Sequence, residues 1–248
     1  MRPCHKYNQW LGSLSIVIPA YNEEHRLPET LRRVLEWIAQ REFSFCELIV
    51  VDDGSRDGTT RVVEEFAKQN PCMRLARYAG NRGKGYAVRH GMLEAKGEWI
   101  LYTDADLSAP IGEIEKLCRA AREQDAAVAI GSRAVDRSLV VKHQPALREL
   151  SGRCFNLVVR LVTRLPFHDT QCGFKLYRAD AARQIFSRQK QEGFSFDVED
   201  LLIAKKLGVR TVEVPVRWAN VEGTKVRLSQ WMKSFLDLVQ IRMDHSGT

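Results

Sequence analysis

The chain has 248 residues, 44% hydrophobic and 28% charged, which fits an ordinary globular protein and excludes a disordered or fibrous chain. Its net charge of +7 is one-sided: residues 1–132 carry 18 Lys and Arg against 19 Asp and Glu, whereas residues 133–248 carry 20 against 12, so the second half should face phosphate, nucleic acid or an anionic membrane. Six scattered cysteines without a CxxC pair or His cluster argue against zinc and for reduced thiols in the cytosol, and no stretch approaches the ~20 apolar residues of a membrane span, so any membrane contact is expected to be peripheral.

Residues 1–13 read as a tail, and Met1–Leu11 lacks the apolar core of a signal peptide. Leu14–Pro19 is a buried strand followed by the loop Ala20–Glu24. Leu27, Leu31, Val34, Leu35 and Ile38 recur at helical spacing. Glu47–Val51 is a second strand, and a helix runs from Asp57 through Phe66. Arg74–Tyr78 is a weaker strand. Asn81–Gly85 is a tight basic turn, with a helix over Tyr86–Glu94. Trp99–Tyr102 is a short apolar strand ending on Asp104-Ala105-Asp106. Ile111–Arg122 should be a helix and Ala126–Ile130 a strand ending at Gly131-Ser132-Arg133. Residues 134–147 have little periodicity and read as a mobile loop. Leu147–Leu165 forms a helix with Arg153, Arg160 and Arg164 on one face. Val209–Trp218 is a final alternating strand. Leu228, Trp231, Met232, Phe235, Leu238 and Val239 mark a C-terminal helix with one apolar side. Its docking on the domain and its lying at a membrane interface are equally compatible with that periodicity. Strands alternating with helices predict a parallel, doubly wound α/β sheet.

The chemistry concentrates at strand ends. Two carboxylates spaced two apart, Asp104 and Asp106, can face one hard cation, and oxygen ligands suit Mg²⁺ or Mn²⁺ bound to a diphosphate. An isolated pair of this kind is more often a polar loop capping the next helix. Lys84, between two glycines, can meet a phosphate. A carboxylate at Asp53 can accept from a nucleobase imide or a ribose hydroxyl, or can cap a helix. Asp57, before Gly58 and Thr59, is read as a cap. Arg133 can reach a phosphate bidentately.

Four segments in register, IPAYNEE (Ile18–Glu24), VVDDGSRDGT (Val50–Thr59), NRGKGYAVRHG (Asn81–Gly91) and DADL (Asp104–Leu107), resemble the family-2 inverting glycosyltransferases of GT-A fold. DTQCGFKLYR (Asp169–Arg178) and FDVE (Phe196–Glu199) resemble the members that glucosylate or mannosylate polyprenyl phosphates. The resemblance covers about residues 14–240. It implies a GT-A, Rossmann-like, mostly parallel sheet flanked by helices, with a nucleotide-sugar-binding half at 14–113, an acceptor half at 114–225 and an amphipathic helix and tail at 226–248. It also implies a nucleotide-sugar set of Pro19, Ala20, Tyr21, Glu23, Val51, Asp53, Lys84, Asp104, Ala105, Asp106 and Gln171. Asp104 and Asp106 would hold Mg²⁺ or Mn²⁺, and Asp169 would approach the sugar or its leaving phosphate. Arg133, Arg148 and Lys225 would hold the acceptor phosphate, and Asp197 would act as a base or position a sugar hydroxyl. Glu199 and Asp200 could equally be helix N-terminal carboxylates.

The reading is of a peripheral enzyme on the cytoplasmic membrane face, moving glucose from UDP-glucose to a polyprenyl or dolichyl phosphate. A GDP-mannose donor is the nearest rival. A nucleic-acid-binding protein is the rival from another class, but the basic half lacks aromatics interleaved with Lys and Arg.

Overall fold

A computed structural model describes residues 12–143, 146–221 and 228–245, with the backbone alone described at 146–148, 150, 153, 154 and 228–235. The first four strands are β1 (Ser13–Ala20), β2 (Phe45–Asp52), β3 (Met73–Arg77) and β4 (Trp99–Thr103). Helices α1 (Leu27–Ala39), α2 (Thr59–Gln69) and α3 (Lys84–Glu94) connect them, and α4 (Ile114–Glu123) follows. Strand β5 (Val128–Ser132) precedes a short pairing strand, β6 (Val140–Lys142), and α5 (Ala146–Thr163). Then come β7 (Phe174–Arg178), α6 (Ala179–Phe186), α7 (Phe196–Lys206), β8 (Thr211–Pro215), β9 (Trp218–Ala219) and α8 (Leu228–Asp244).

Seven strands form one sheet in the order β3-β2-β1-β4-β7-β5-β8. All neighbours are parallel except β7, which runs antiparallel to both β4 and β5. The sheet is thus mostly parallel, as expected, with β7 as its one reversed strand. Residues 174–178 directly follow the Asp169–Gly173 turn, so the chain enters the sheet at its carboxyl end and must run back against β4. The strands are nearly continuous runs of buried aliphatics, as expected of a sheet covered on both faces. One core packs α1, α2 and α4 on one face; the other packs α3, α5, α6, α7 and part of α8 on the opposite face.

The consequence for function is positional. Strand β1 pairs with β2 on one side and β4 on the other, so the connections diverge at β1, and a crevice opens outside the carboxyl ends of β1 and β4. The 134–147 stretch also departs from expectation. Arg137–Leu139 forms a 3₁₀ turn that Asp136 caps, and Val140–Lys142 pairs in parallel with β9. The three-residue strand is too short to leave a periodic signature.

Candidate active site

The crevice is a cavity of about 830 Å³. Of the expected residues, Pro19, Ala20, Tyr21, Glu23, Asp53, Lys84, Asp104, Ala105, Asp106, Arg133, Gln171 and Asp197 line it. Val51 does not. It is fully buried, and its side chain packs where α3 comes closest to the sheet, at Gly91. The side chain of Arg148 and all of Lys225 lie outside the described residues.

At the centre, Asp104 leaves the end of β4 with its N–H bonded to the carbonyl of Gly173. The Lys84 ammonium lies 2.7 Å from Asp104 Oδ1, and the Tyr102 hydroxyl donates to the same oxygen at 2.9 Å. Burial disfavours the Lys84 charge, but Asp104, Asp197 and Asp106 around it outweigh that and hold its pKa above the ordinary value. Sequence distance hid this pairing: twenty residues separate the two, and α3 brings them together. Asp106 accepts from the N–H of Ser108 at 2.9 Å, and its other oxygen stands 3.9 Å from the guanidinium of Arg26. A Cβ on Gly173 would lie 2.1 Å from Asp104 Oδ2, so the carboxylate occupies space that only glycine leaves. Two hard carboxylates at one strand end, with a lysine beside them, fit a divalent cation that completes its shell with phosphate oxygens. No group of three His, Cys, Asp or Glu side chains is gathered for a metal among the described residues, so an ion held by these two carboxylates would take the rest of its shell from water or from a bound ligand's oxygens.

The structure gives Asp53 a second employment. Its carboxylate accepts from the Tyr78 hydroxyl, the Asn81 amide and the N–H groups of Arg82 and Gly83. It thereby fixes the turn that delivers Lys84. Asp57 accepts from the N–H and hydroxyl of Thr59, a local turn at the entry to α2; the N-cap position itself is held by Gly58, without a side-chain cap, so the expected capping by Asp57 is not what the structure shows. Arg133 is engaged bidentately by the buried Asp169, at 2.6 and 2.8 Å, and stacks over Trp218 at 5.4 Å. Asp169 therefore serves Arg133 rather than standing alone before a sugar. Burial alone would raise its pKa, but Arg133 holds it below the ordinary carboxylate value.

Asp197 sits in the first turn of α7 and is buried. Lys175, fully buried on β7, donates to it. Burial raises the Asp197 pKa, while Lys175 and Lys84 pull against that shift. Lys175, Tyr102 and Arg26 escaped sequence reasoning. The signal for Lys175 was present, since a lysine between Phe174 and Leu176 inside an apolar strand must find a buried anion. Glu199 is also buried, but its carboxylate binds the N–H groups of Lys190 and Gln191 and the ring of His245. It is a carboxylate in the first turn of α7, as one reading of the sequence had it, but a buried and fully engaged one. Cys172, between the lining residues Gln171 and Gly173, is itself buried away from the cavity, and burial pushes its thiol up to about 12, which leaves it without nucleophilic character.

Comparison with known proteins agrees with this geometry. Residues 15–186 match Glycosyl transferase family 2. The chain is 35% identical over 243 residues to the dolichyl-phosphate beta-glucosyltransferase of Homo sapiens, covering 93% of this chain and 75% of that protein. It is 36% identical over 248 residues to the Saccharomyces cerevisiae enzyme of the same name, covering 93% and 74%. Among solved structures, glucosyl-3-phosphoglycerate synthase from Mycobacterium tuberculosis with Mn²⁺, UDP-glucose and phosphoglyceric acid superposes with a TM-score of 0.68 at 16% identity, covering 97% and 85%. Mannosyl-3-phosphoglycerate synthase from Rubrobacter xylanophilus gives 0.69 at 16%, covering 95% and 75%. The chain belongs to glycosyl transferase family 2 and has the GT-A-like α/β fold.

Proposed function

We propose that this family-2 glycosyltransferase transfers glucose from UDP-glucose, with inversion, to the phosphate of a polyprenyl or dolichyl lipid at the cytoplasmic face of a membrane. The observation that carries the proposal is the meeting of Asp104, Asp106 and Lys84 at the carboxyl end of β4, in a chain about 35% identical to dolichyl-phosphate glucosyltransferases over more than 90% of its length. In this reading residues 14–113 bind the donor and 114–225 the acceptor.

The acceptor phosphate is already ionised at neutral pH and needs no strong base. One of its oxygens attacks the anomeric carbon as the bond to the UDP β-phosphate oxygen breaks, so the electron pair leaves with UDP. Lys84 is placed to meet charge that grows on that departing oxygen, where a preorganised cation is worth most. Asp104 and Asp106 would hold Mg²⁺ or Mn²⁺, which supplies further neutralisation of the diphosphate. Arg133, locked by Asp169, is an oriented cation for the acceptor phosphate. Arg137, His143 and Arg160 also line the cavity. Asp197, braced by Lys175, is placed to orient a sugar hydroxyl. Arg148 and Lys225 remain part of the proposed acceptor set.

A donor panel with a short prenyl phosphate tests the reading. Transfer is expected from UDP-glucose with Mg²⁺ or Mn²⁺, and Asp106→Asn is expected to lower it at least ~100-fold, on the order of one lost transition-state contact. UDP should raise the unfolding temperature more than GDP, and only with metal. Stronger protection by GDP would move the donor to GDP-mannose. Full activity of Asp106→Asn in EDTA would remove the metal from the mechanism.

A further inference from the structure

The described residues expose nine large hydrophobic side chains, and five of them fall on two helices that pack against each other. On α5, Leu157 is 55% and Leu161 71% exposed; on α8, Leu236 is 72%, Val239 56% and Met243 67% exposed. The spacings, four on α5 and three and four on α8, place each set on one face of its helix. The opposite faces are buried in the same core, through Phe155 and Val159 on α5 and Leu238 on α8. Both helices thus turn their apolar outer faces away from one core. The Arg242 guanidinium bonds the carbonyl of Val162 at 2.6 Å and ties the two helices together. The two faces form one platform.

We infer that this two-helix platform is the surface by which the protein docks on an anionic lipid bilayer. The charge around it points to that occupant. Between residues 157 and 164 the charged residues are Arg160 and Arg164, both exposed, with no acid among them. On α8, Arg242 is exposed, while Asp237 is taken up by the Ser195 hydroxyl at 2.7 Å. Apolar side chains rimmed by arginines suit the boundary between headgroups and acyl chains, where basic residues are drawn to anionic headgroups. Position supports it as well. Leu157 and Arg160 belong both to this face and to the cavity lining, so docking would set the acceptor side of the cavity at headgroup level. This last step rests on the lipid-acceptor reading, whereas the docking itself does not. The helix that sequence periodicity left between core and membrane does both jobs, with Leu238 and Ile241 turned inward and Leu236, Val239 and Met243 outward.

Sedimentation with phosphatidylcholine vesicles, with and without phosphatidylglycerol, tests the inference without donor or acceptor. The wild type is expected to bind the anionic vesicles and to release as salt rises. A variant carrying Leu161→Glu, Leu236→Glu, Val239→Glu and Met243→Glu should bind ~10-fold more weakly or worse, since it removes apolar side chains from the lipid and sets like charge against anionic headgroups. It should keep its unfolding temperature and its UDP binding. Phe45→Glu with Leu93→Glu, which alters exposed apolar residues elsewhere, should bind vesicles normally. Hydrogen exchange on the wild type gives an independent reading: vesicles should protect residues 157–161 and 236–243 selectively. Wild-type protein that ignores anionic vesicles, a quadruple variant that binds like wild type, or protection confined to other segments would overturn the inference. So would a wild-type dimer that the quadruple variant converts to monomer, since the platform would then be a self-association face. Vesicle binding without transfer to any prenyl phosphate would instead sink the acceptor reading and leave the docking surface standing.

Discussion

Gly173 shows how closely single residues govern this site. The space its missing Cβ leaves to Asp104 makes a glycine in a sheet-entry turn part of the geometry of the proposed metal site. Gly173→Ala is expected to displace the Asp104 carboxylate and abolish metal-dependent protection by UDP while the unfolding temperature falls by only a few degrees. Calorimetric titration of UDP with Mn²⁺ checks this, and undiminished affinity would mean the carboxylate can move without loss. Asp200 makes a different kind of prediction. It is buried beside Asp197 and Glu199, neither of its oxygens has a hydrogen-bond partner among the described residues, and burial raises its pKa well above the ordinary value, against the pull of Lys175. The folded state therefore keeps a proton that the unfolded chain releases near pH 4. Its contribution to stability is full below that pH and is lost as pH rises toward the folded pKa, at up to about 1.4 kcal/mol per unit. Asp200→Asn removes that dependence, so urea unfolding from pH 5 to 8 should show the variant gaining on wild type as pH rises. A constant difference would show that Asp200 is solvated or paired in solution. Residues acting through one strand end, such as Asp104 and Asp106, were legible in the sequence. Lys84–Asp104 and Lys175–Asp197 pair across 20 and 22 positions and became visible only once the sheet order was known.

At the scale of elements, legibility followed burial and length. Strands β1, β2 and β4 are apolar runs in full contact with both cores, and α1 carries its buried residues at regular helical spacing, so each was readable. The antiparallel β7, the eight-residue α6 and the β6–β9 pair were not. Direction in a sheet is set by partners distant in sequence, and a pair as short as Trp218–Ala219 with Val140–Lys142 has no periodicity to detect. The C-terminal helix was readable as amphipathic, but which side met the protein was not. The burial of Ile241, together with the Ser195–Asp237 and Glu199–His245 bonds, now makes α8 part of the folded unit. Ile241→Ala should cost about 2–5 kcal/mol by chemical unfolding, the usual range for a fully buried aliphatic cut to alanine. A cost below ~0.5 kcal/mol, typical of a surface position, would mean that α8 is not held against the core in solution.

Across the whole molecule, the end of α8 is joined to the Lys84 side of the cavity by a continuous set of contacts. His245 binds Glu199 at 2.7 Å, and Glu199 in turn holds the N–H groups of Lys190 and Gln191. The segment so fixed grips the start of α3: the Gln189 amide donates to the carbonyl of Gly85, and the N–H groups of Gly85 and Tyr86 donate to the carbonyls of Gly193 and Glu192. There is no slack in this grip, since a Cβ on Gly85 would fall 2.5 Å from the Gln191 carbonyl. Helix α3 begins with Lys84, which meets Asp104. Loss of the imidazole leaves Glu199 a buried carboxylate short of one partner, and such a group costs about 1–3 kcal/mol. The strain falls on the 189–193 segment and, through it, on the placement of Lys84. His245→Ala is therefore expected to weaken UDP–Mn²⁺ binding several-fold, although His245 is not among the residues lining the cavity. Faster hydrogen exchange at the N-terminal amides of α3 should accompany the weaker binding. His245→Gln, which can still donate to Glu199, should restore part of both. If His245→Ala lowers the unfolding temperature but leaves the affinity and the α3 amides unchanged, the 189–193 segment holds α3 without help from α8, and the C-terminal helix contributes stability alone.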